Sequence, residues 1–270
     1  MKILIKNKEI NKALKKVSNL GFVPTMGSLH KGHEYLINQS KKKCNKTLVS
    51  IFINPTQFNN KKDYLLYPKN LKKDLNILKK LKVNYVYTPN TKDIYSFKRK
   101  KKITLKKDSK VLCAKFRQGH FEGVIDVMDR MTNIIKPNKI FMGEKDYQQF
   151  LLVKKFIEKK YDTKILLCKT IRNKDRLALS SRNQLLDKED LIKASKIANE
   201  LFHFKIFLKN KKKTKNLLQN KIKLLRKKFD IKIEYLEIRK KNNLKSSLNM
   251  KNSKMFIAYF INKVRLIDNF

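Results

Sequence analysis

Two histidines stand three residues apart in a chain where histidine and glycine are scarce. His30 and His33 belong to the run PTMGSLHKGH at positions 24–33, which follows a short apolar stretch. At the start of a helix both imidazoles would face one side, where they can donate hydrogen bonds to a phosphate and stabilise developing charge. A strand-to-helix turn also aims free backbone N–H groups at an anion, and Gly32 lets a ligand approach the backbone. The run therefore predicts a phosphate-binding loop.

Two further segments place amide and charged side chains where apolar stretches end. Asn54 and Gln57, in INPTQF, can bind hydroxyls or a carboxylate, although Asn-Pro is also an ordinary turn. In MGEKDYQQ, Lys145 can neutralise phosphate, Asp146 can bind ribose hydroxyls or organise magnesium, and Gln149 can bind a substrate.

Two arginine-containing segments admit both a functional and a structural interpretation. Arg117 and His120, in RQGHFEGV, can face a phosphate, or they can form a turn before a helix. Ser180, Ser181 and Arg182, in LALSSRN, can clamp phosphates from across a cleft, and such a loop is also a common linker. Its position near a domain boundary favours a mobile clamp.

Alternating strands and helices must position these segments. Apolar runs at 3–5, 21–25, 47–53, 85–87, 139–142 and 164–168 predict strands, and helical spacing predicts helices at 9–20, 32–43, 71–81, 121–135 and 147–159. This alternation indicates an α/β fold, a Rossmann-like doubly wound parallel sheet.

The last third of the chain has a different order. Helices at 188–208 and 214–228, joined by a solvated lysine run at 211–213, precede strands at 231–238, 255–261 and 264–267. Helices followed by strands predict a smaller C-terminal α+β domain. We therefore expect two domains, residues 1–176 and 177–270. His203 would be a surface or packing residue of the first of these helices.

The formal net charge of +45 suggests nucleic acid at first sight. However, the chain has 58 lysines and only 9 arginines, spread almost evenly, together with 26 asparagines. A phosphate-reading surface would use more of the bidentate guanidinium. Codon bias in an AT-rich genome explains this composition better, and we expect no specific nucleic-acid partner, although the charge should attract anionic substrates.

No apolar run is long enough for a transmembrane helix, and no signal peptide is evident, so we expect no membrane association. The cysteines at 44, 113 and 168 fit neither a zinc spacing nor a disulfide framework. A cytoplasmic protein is expected.

Taken together, the five segments resemble the pantoate–β-alanine ligases, a family of the HIGH-type nucleotidyltransferase superfamily. The resemblance covers essentially the whole chain. It implies ATP-dependent condensation of pantoate with β-alanine through a pantoyl adenylate, releasing AMP and pyrophosphate, with Mg²⁺ bridging phosphate oxygens. It further implies a cytoplasmic homodimer whose C-terminal domain is a lid over an ATP- and pantoate-binding domain.

The resemblance also assigns roles to residues. His33 would be the proton donor, His30 its phosphate partner and Lys145 a third catalytic residue. Gln57 and Gln149 would hold pantoate together with Asn54 and Met26, and Gln57 would also lie near β-alanine. The metal ligands are not assigned. The implied ATP contacts are Met26, Gly27, Ser28, Leu29, His30, Lys31, Gly32, His33, Gly143, Glu144, Lys145, Asp146, Ile171, Leu179, Ser180, Ser181 and Arg182.

Four positions depart from the family pattern. Met142 replaces an aromatic residue, Lys69 replaces an arginine, Asp126 replaces a common threonine, and Arg176 replaces a glycine. A positive φ at Arg176 would affect the motion of the loop that follows.

Two alternatives belong to other classes of function. An enzyme of the same superfamily acting on a different acid would lack pantoate-dependent exchange between ATP and pyrophosphate. An RNA-binding protein would bind with a steep salt dependence and would tolerate His33→Ala.

Overall fold

The structure is a computed structural model, and it describes residues 1–97, 102–211 and 214–270. Six strands form the main sheet: β1 Lys2–Leu4, β2 Leu20–Thr25, β3 Lys46–Ile51, β4 Tyr85–Tyr87, β5 Lys139–Gly143 and β6 Lys164–Cys168. The helices of this part are α1 Asn7–Leu14, α2 Lys31–Lys43, α3 Lys61–Leu65, α4 Leu71–Lys80, α5 Thr91–Ile94, α6 Cys113–Phe116, α7 His120–Ile135 and α8 Tyr147–Lys160.

The main sheet is parallel, and its strand order is β1-β4-β3-β2-β5-β6. From β2 the chain proceeds to β3 and β4 on one side and then returns to build β5 and β6 on the other. This reversal confirms the predicted doubly wound fold. It also places a crevice at the carboxyl ends of β2 and β5, which is where ligands bind in such sheets.

The C-terminal part consists of α9 Lys188–Leu208, α10 Lys215–Phe229, β7 Lys232–Lys240, β8 Ser253–Ile261 and β9 Val264–Asn269. The three strands form an antiparallel sheet, as the helix-then-strand order predicts. Tyr235 and Phe256 of this sheet pack into the same apolar core as Phe22 and Met128 of the first part. Another core lies between this sheet and its own helices. The domain division at residue 176 stays a prediction.

One predicted boundary is wrong by six residues, whereas the other predicted ends differ from the structure by two residues or fewer. The helix predicted at 9–20 ends at Leu14, and Leu20 begins β2 instead. Asn19 adopts a left-handed conformation with φ of 49°, and the backbone N–H of Leu20 donates to the side chain of Asn138. The apolar periodicity continues across a turn because Leu20 is buried in the sheet. The lysine run at 211–213 lies partly outside the described residues.

Candidate active site

A cavity of about 230 Å³ occupies the crevice between β2 and β5. It gathers segments that are far apart in the sequence. The predicted site residues that line it are Met26, His30, Gly32, His33, Asn54, Gln57, Gly143, Lys145, Asp146, Gln149, Ile171, Leu179, Ser180, Ser181 and Arg182. The remaining predicted contacts, Gly27, Ser28, Leu29, Lys31 and Glu144, do not line it.

The two histidines are held at the start of α2 by the backbone. Nδ1 of His30 accepts the N–H of Gly32 at 3.1 Å, and Nδ1 of His33 accepts the N–H of His30 at 3.3 Å. Their ring centroids are 4.1 Å apart. Because each Nδ1 accepts a hydrogen bond, a neutral ring carries its proton on Nε2. Each histidine is then an N–H donor at Nε2.

Burial keeps both rings neutral. Burial, together with the charge of nearby Lys145, lowers the pKa of His30 to about 4. Burial also brings the pKa of His33 well below its usual value, with His30 and Lys145 contributing. At neutral pH the pair therefore offers hydrogen bonds to an anion and carries no charge of its own.

The phosphate loop differs from its prediction in one respect, because its backbone N–H groups are already bonded within the protein. Gly27 donates to Oγ1 of Thr25 at 3.2 Å. Ser28 and Leu29 each donate to a carboxylate oxygen of Asp74 at 2.8 Å. The expected free N–H groups are thus occupied at these positions, and side chains are left as the main donors to a ligand.

Asp74 was not identified by sequence reasoning. It lies on α4 and is only 2% exposed. Gly27 has a φ of 79°, and a Cβ there would come within 2.9 Å of this carboxylate. The sequence did contain one indication of this role. Asp74 is a carboxylate three residues after Leu71 and four before Leu78, on the helix face predicted to be apolar. Leu71 itself is half exposed.

The Asn-Pro-Thr-Gln segment is fixed from behind by α7. Oδ1 of Asn54 accepts the hydroxyl of Tyr95 at 2.8 Å, and its Nδ2 donates to the carbonyl of Gly123 at 3.2 Å. A Cβ on Gly123 would come within 2.5 Å of the carbonyl of Thr56, so this packing requires glycine. Asn54 is therefore engaged in the fold, and its role in substrate binding stays a prediction.

Gln57 lies in the cavity wall, and the Arg117 segment fixes its backbone. Nδ1 of His120 donates to the carbonyl of Gln57 at 2.7 Å, which leaves Nε2 to accept from Arg117 at 3.1 Å. Burial lowers the pKa of His120 to about 3, with Arg117 contributing, so this imidazole is neutral. The side chain of Gln57 donates to the sulfur of Met26. The Arg117 segment was predicted either to face a phosphate or to form a turn before a helix. For His120 the structure supports the second, structural interpretation.

The C-terminal sheet fixes the Gly-Glu-Lys-Asp turn. Nδ2 of Asn269, at the end of β9, donates to the carbonyls of Glu144 and Lys145 at 2.8 and 2.9 Å. Lys254 of β8 pairs with Glu144 at 3.1 Å. These contacts place Lys145 in the cavity, 3.8 Å from Asp146. Sequence reasoning missed Asn269 because the residue lies in no recognisable motif.

The serine–arginine loop spans the cleft. Oγ of Ser181 donates to the carbonyl of Ser28 at 3.0 Å, which ties this loop to the phosphate loop. Arg182 pairs with Asp63 of α3 at 3.1 Å and lies over the ring of Tyr67. The ion pair with Asp63, on the opposite side of the cleft, therefore holds the Arg182 guanidinium at the cavity wall.

The four departures from the family pattern have identifiable contacts. Nζ of Lys69 lies 5.1 Å from the centroid of the Tyr64 ring. Arg176 has a φ of 70°, so the conformation that favours glycine is present, and its guanidinium stacks on Phe202 at 3.6 Å. Asp126 pairs with Arg130 at 3.1 Å within α7. Met142 is buried and lines the cavity.

A second cavity of about 680 Å³ adjoins the first on the side of the C-terminal sheet. It is lined by Arg117, His120, Arg265 and other residues that the first cavity does not reach. The two share the side chains of Met26, Gln57, Lys145, Asp146, Gln149, Ser180 and Arg182. The site is thus one cleft with two connected parts, a smaller one, here called the inner cavity, and a larger one beside the C-terminal sheet, here called the outer cavity.

Two features that the described residues lack bear on metals and membranes. Residues 1–97, 102–211 and 214–270 contain no group of three or more His, Cys, Asp or Glu side chains placed to hold a metal ion. Within the same ranges, no helix has the length and apolar character needed to cross a bilayer.

Comparison with known proteins agrees with this geometry. The family model for pantoate-beta-alanine ligase matches residues 2–270. A pantothenate synthetase from Pseudothermotoga lettingae is 37% identical over 99% of this chain and 98% of its own length. Another from Francisella tularensis subsp. novicida is 40% identical over 97% and 92%.

Solved structures show the same likeness. The pantothenate synthetase of Thermus thermophilus superimposes with a TM-score of 0.93 at 28% identity, over 100% of this chain and 99% of that one. A pantoate-beta-alanine ligase from Francisella tularensis, crystallised with β-γ ATP and β-alanine, gives a TM-score of 0.84 at 37% identity, over 100% and 97%.

Proposed function

Because this chain belongs to the pantoate–β-alanine ligase family, it is an ATP-dependent ligase, and we propose that it joins pantoate to β-alanine through a pantoyl adenylate formed in this cleft. The observation that carries the mechanism is the convergence of two neutral imidazoles, Lys145, Ser180 and Arg182 on a cavity that also contains Gln57 and Gln149. Phosphate donors and carboxylate-binding amides are thereby placed side by side.

In the first step a carboxylate oxygen of pantoate attacks the α-phosphorus of ATP. A phosphorus–oxygen bond forms, the bond to the β-phosphate oxygen breaks, and pyrophosphate leaves. The Nε2–H groups of His30 and His33 donate to phosphate oxygens, and the charge of Lys145 stabilises the pentacoordinate transition state. Arg182 would release Asp63 and bind a phosphate group of ATP in its place.

In the second step the amine of β-alanine attacks the acyl carbon of the mixed anhydride. The carbon–nitrogen bond forms, AMP leaves with the electrons of the cleaved carbon–oxygen bond, and the amine releases a proton to solvent. Gln57 and Gln149 would hold pantoate during both steps. Orientation of this kind contributes on the order of 7–11 kcal/mol when reactants are well aligned.

The adenine would lie just beyond the carboxyl end of β6, beside Ile171 and Leu179. The carbonyl of Ile171 accepts the N–H of Leu179 at 3.0 Å, so the two segments form one wall. Pantoate would lie at the other end of the cavity, between Gln57, Gln149 and Met26. Gly27, Ser28, Leu29, Lys31 and Glu144 would then support the ATP site from behind the cavity wall.

Magnesium would arrive with the nucleotide. Mg²⁺ keeps several waters and needs only one or two protein carboxylates beside substrate phosphates. Asp146, whose side chain is 45% exposed in the cleft, fits that requirement, and the described residues offer no preformed three-ligand site. When bound, the ion would neutralise phosphate charge.

We further propose a cytoplasmic homodimer whose residues 177–270 act as a lid over residues 1–176. The family resemblance and the contacts between β9 and the Lys145 turn support this arrangement. Sedimentation equilibrium would test the dimer, with a monomer at micromolar concentration as the contrary result.

The deciding experiment is pantoate-dependent exchange of labelled pyrophosphate into ATP, without β-alanine. We expect exchange in the native enzyme and a fall of about 100-fold or more in His33→Ala. His203→Ala is the matched control, since this exposed histidine on α9 lines neither cavity. No exchange with pantoate in the native enzyme would refute the proposal.

A further inference from the structure

Arg172 is a largely buried arginine that joins two parts of the chain and lines neither cavity. Its two terminal nitrogens donate to the two carboxylate oxygens of Asp268 on β9, at 2.6 and 2.8 Å. They also donate to the carbonyl of Arg176 at 2.8 Å and to that of Asn269 at 2.9 Å. Arg172 therefore binds both its own loop and β9.

The loop that contains Arg172 is a hairpin of residues 171–179, here called the 171–179 hairpin. Within it, Arg172 forms an antiparallel bridge with Ala178, and the N–H of Leu179 donates to the carbonyl of Ile171 at 3.0 Å. Ile171 and Leu179 line the inner cavity, and the serine–arginine loop follows directly. Because the hairpin is bonded to itself, we expect it to move as one unit, and Arg172 fixes its position on β9.

The Lys145 turn is held by the neighbouring residue of the same strand. Asn269 donates to the carbonyls of Glu144 and Lys145. The backbone N–H of Asn269 in turn donates to Oδ1 of Asp268 at 2.7 Å. Two adjacent residues of β9 thus hold both the hairpin beside the proposed adenine position and the turn that carries the phosphate-binding lysine.

The ion pair between Arg172 and Asp268 is better suited to fixing geometry than to adding stability. The side chain of Arg172 is 22% exposed and that of Asp268 only 6%. Removing such charges from water offsets most of their mutual attraction, so a buried pair adds little to the free energy of unfolding. Two parallel hydrogen bonds from a planar guanidinium do fix the position and the tilt of the carboxylate, which a lysine ammonium cannot do.

We propose that Arg172 is a positioning residue for ATP, which acts through Asp268 to set the distance between the 171–179 hairpin and the Lys145 turn. This inference rests on the function proposed above, in which the adenine lies beside the hairpin and the phosphates lie at Lys145. A nucleotide that spans both places benefits from a fixed separation, because its second end then binds at a high effective concentration. A ligand that reaches only one of the two places gains nothing from that separation.

Arg172→Lys tests this role by comparing the intact nucleotide with its two parts. In calorimetric titration of the whole enzyme, the Kd for ATP should rise about 10-fold or more, because the second end of the nucleotide loses its effective concentration. Adenosine and tripolyphosphate each reach one place only, so their Kd values should stay within about twofold of native. If either part weakens as much as ATP, Arg172 only shapes that part of the site and the proposal is overturned, as it is by an unchanged Kd for ATP.

A double-mutant cycle tests the route through Asp268. Asp268→Asn should raise the Kd for ATP as Arg172→Lys does, and the double variant should be no weaker than the weaker single variant. Additive effects would show that Arg172 does not act through Asp268, and the inference would be wrong.

Arg239→Lys is the matched control, because it breaks a similar contact elsewhere in the C-terminal sheet. Arg239 donates to Glu237 at 2.7 Å and to the carbonyl of Leu244 at 2.8 Å, and it lines neither cavity. Its Kd for ATP should be native, whereas a rise equal to that of Arg172→Lys would indicate general damage to the fold and overturn the proposal. Absence of pantoate-dependent exchange in the native enzyme would refute the proposed function instead, and it would leave the binding comparison intact.

Discussion

Single side chains explain why the histidine segment has its shape. Asp74 binds two successive N–H groups of the loop, at Ser28 and Leu29, and thereby fixes the backbone just before His30. The loop's own amides are thus used to build the site, and the imidazoles are left to contact the ligand. This division of roles makes Asp74 a positioning residue, although it lines neither cavity.

Replacing Asp74 tests this role. Asp74→Asn keeps the shape but exchanges one acceptor oxygen for a donor, so one buried N–H loses its partner. We expect the free energy of unfolding to fall by about 1–3 kcal/mol, together with slower pyrophosphate exchange. Urea denaturation measures the first effect. Asp175→Asn, at an exposed position, is the control, and equal stability of the two variants would contradict the role.

The neutral histidines predict a pH dependence. The pKa of His30 is about 4 in the folded chain and about 6.5 in the unfolded chain, so the unfolded chain binds the proton first as the pH falls. Stability should therefore decrease from pH 6.5 towards pH 4 and be insensitive to this group above pH 6.5. His33 and His120 act in the same direction.

His30→Asn isolates the contribution of His30 to this dependence. Asparagine retains a side-chain cap for α2, so the helix should persist while the slope of unfolding free energy between pH 4 and 6.5 becomes shallower. Urea denaturation at each pH gives the slope. His203→Asn should not change it, and an unchanged slope in His30→Asn would show that His30 is not buried in the neutral form.

At the scale of secondary-structure elements, the sequence predicted types better than ends. The strands at 85–87 and 164–168 are confirmed as predicted, whereas the helix after residue 9 ends six residues early. Strand burial depends on local apolar runs, but a helix ends where the chain must enter the sheet, and pairing decides that point. Arg176 shows the same limit, since its φ follows from the loop it belongs to.

Arg176 offers a test at this scale. The left-handed conformation costs a non-glycine residue about 1 kcal/mol, and stacking on Phe202 offsets part of that cost. Arg176→Gly should be about 1 kcal/mol more stable than Arg176→Ala in thermal denaturation. At the exposed neighbour Lys174 the order should reverse, with alanine the more stable. The same order at both positions would exclude strain at Arg176.

At the scale of the whole molecule, the main sheet and the C-terminal sheet together form one site. The C-terminal sheet reaches the catalytic turn through Asn269 and Lys254, and it lines the outer cavity with Arg265. The abundant lysines take little part in this. Arg130 and Lys254 are the buried cations among the described residues, so the charge lies mainly at the surface.

The link between the sheets can be tested with an isosteric change. In Asn269→Asp, a carboxylate oxygen replaces the amide nitrogen that donates to the carbonyls of Glu144 and Lys145. The carboxylate oxygen repels both carbonyl oxygens. We expect a loss of about 1–3 kcal/mol in stability and a higher KM for ATP in the exchange assay, because the Lys145 turn is released. Asn249→Asp is the control, since its exposed side chain accepts from Lys251 and aspartate can do the same. Unchanged kinetics in Asn269→Asp would separate β9 from the site.

The sequence by itself determined the alternation of strands and helices, the parallel sheet and the segments that surround the cleft. These features depend on local periodicity and on residue types at strand ends. The tertiary structure alone decided that Asp74 occupies the loop amides and that Asn269 holds the Lys145 turn. Asp74 lies 46 residues from Ser28 and Asn269 lies 124 from Lys145, and contacts between such distant positions leave no local pattern.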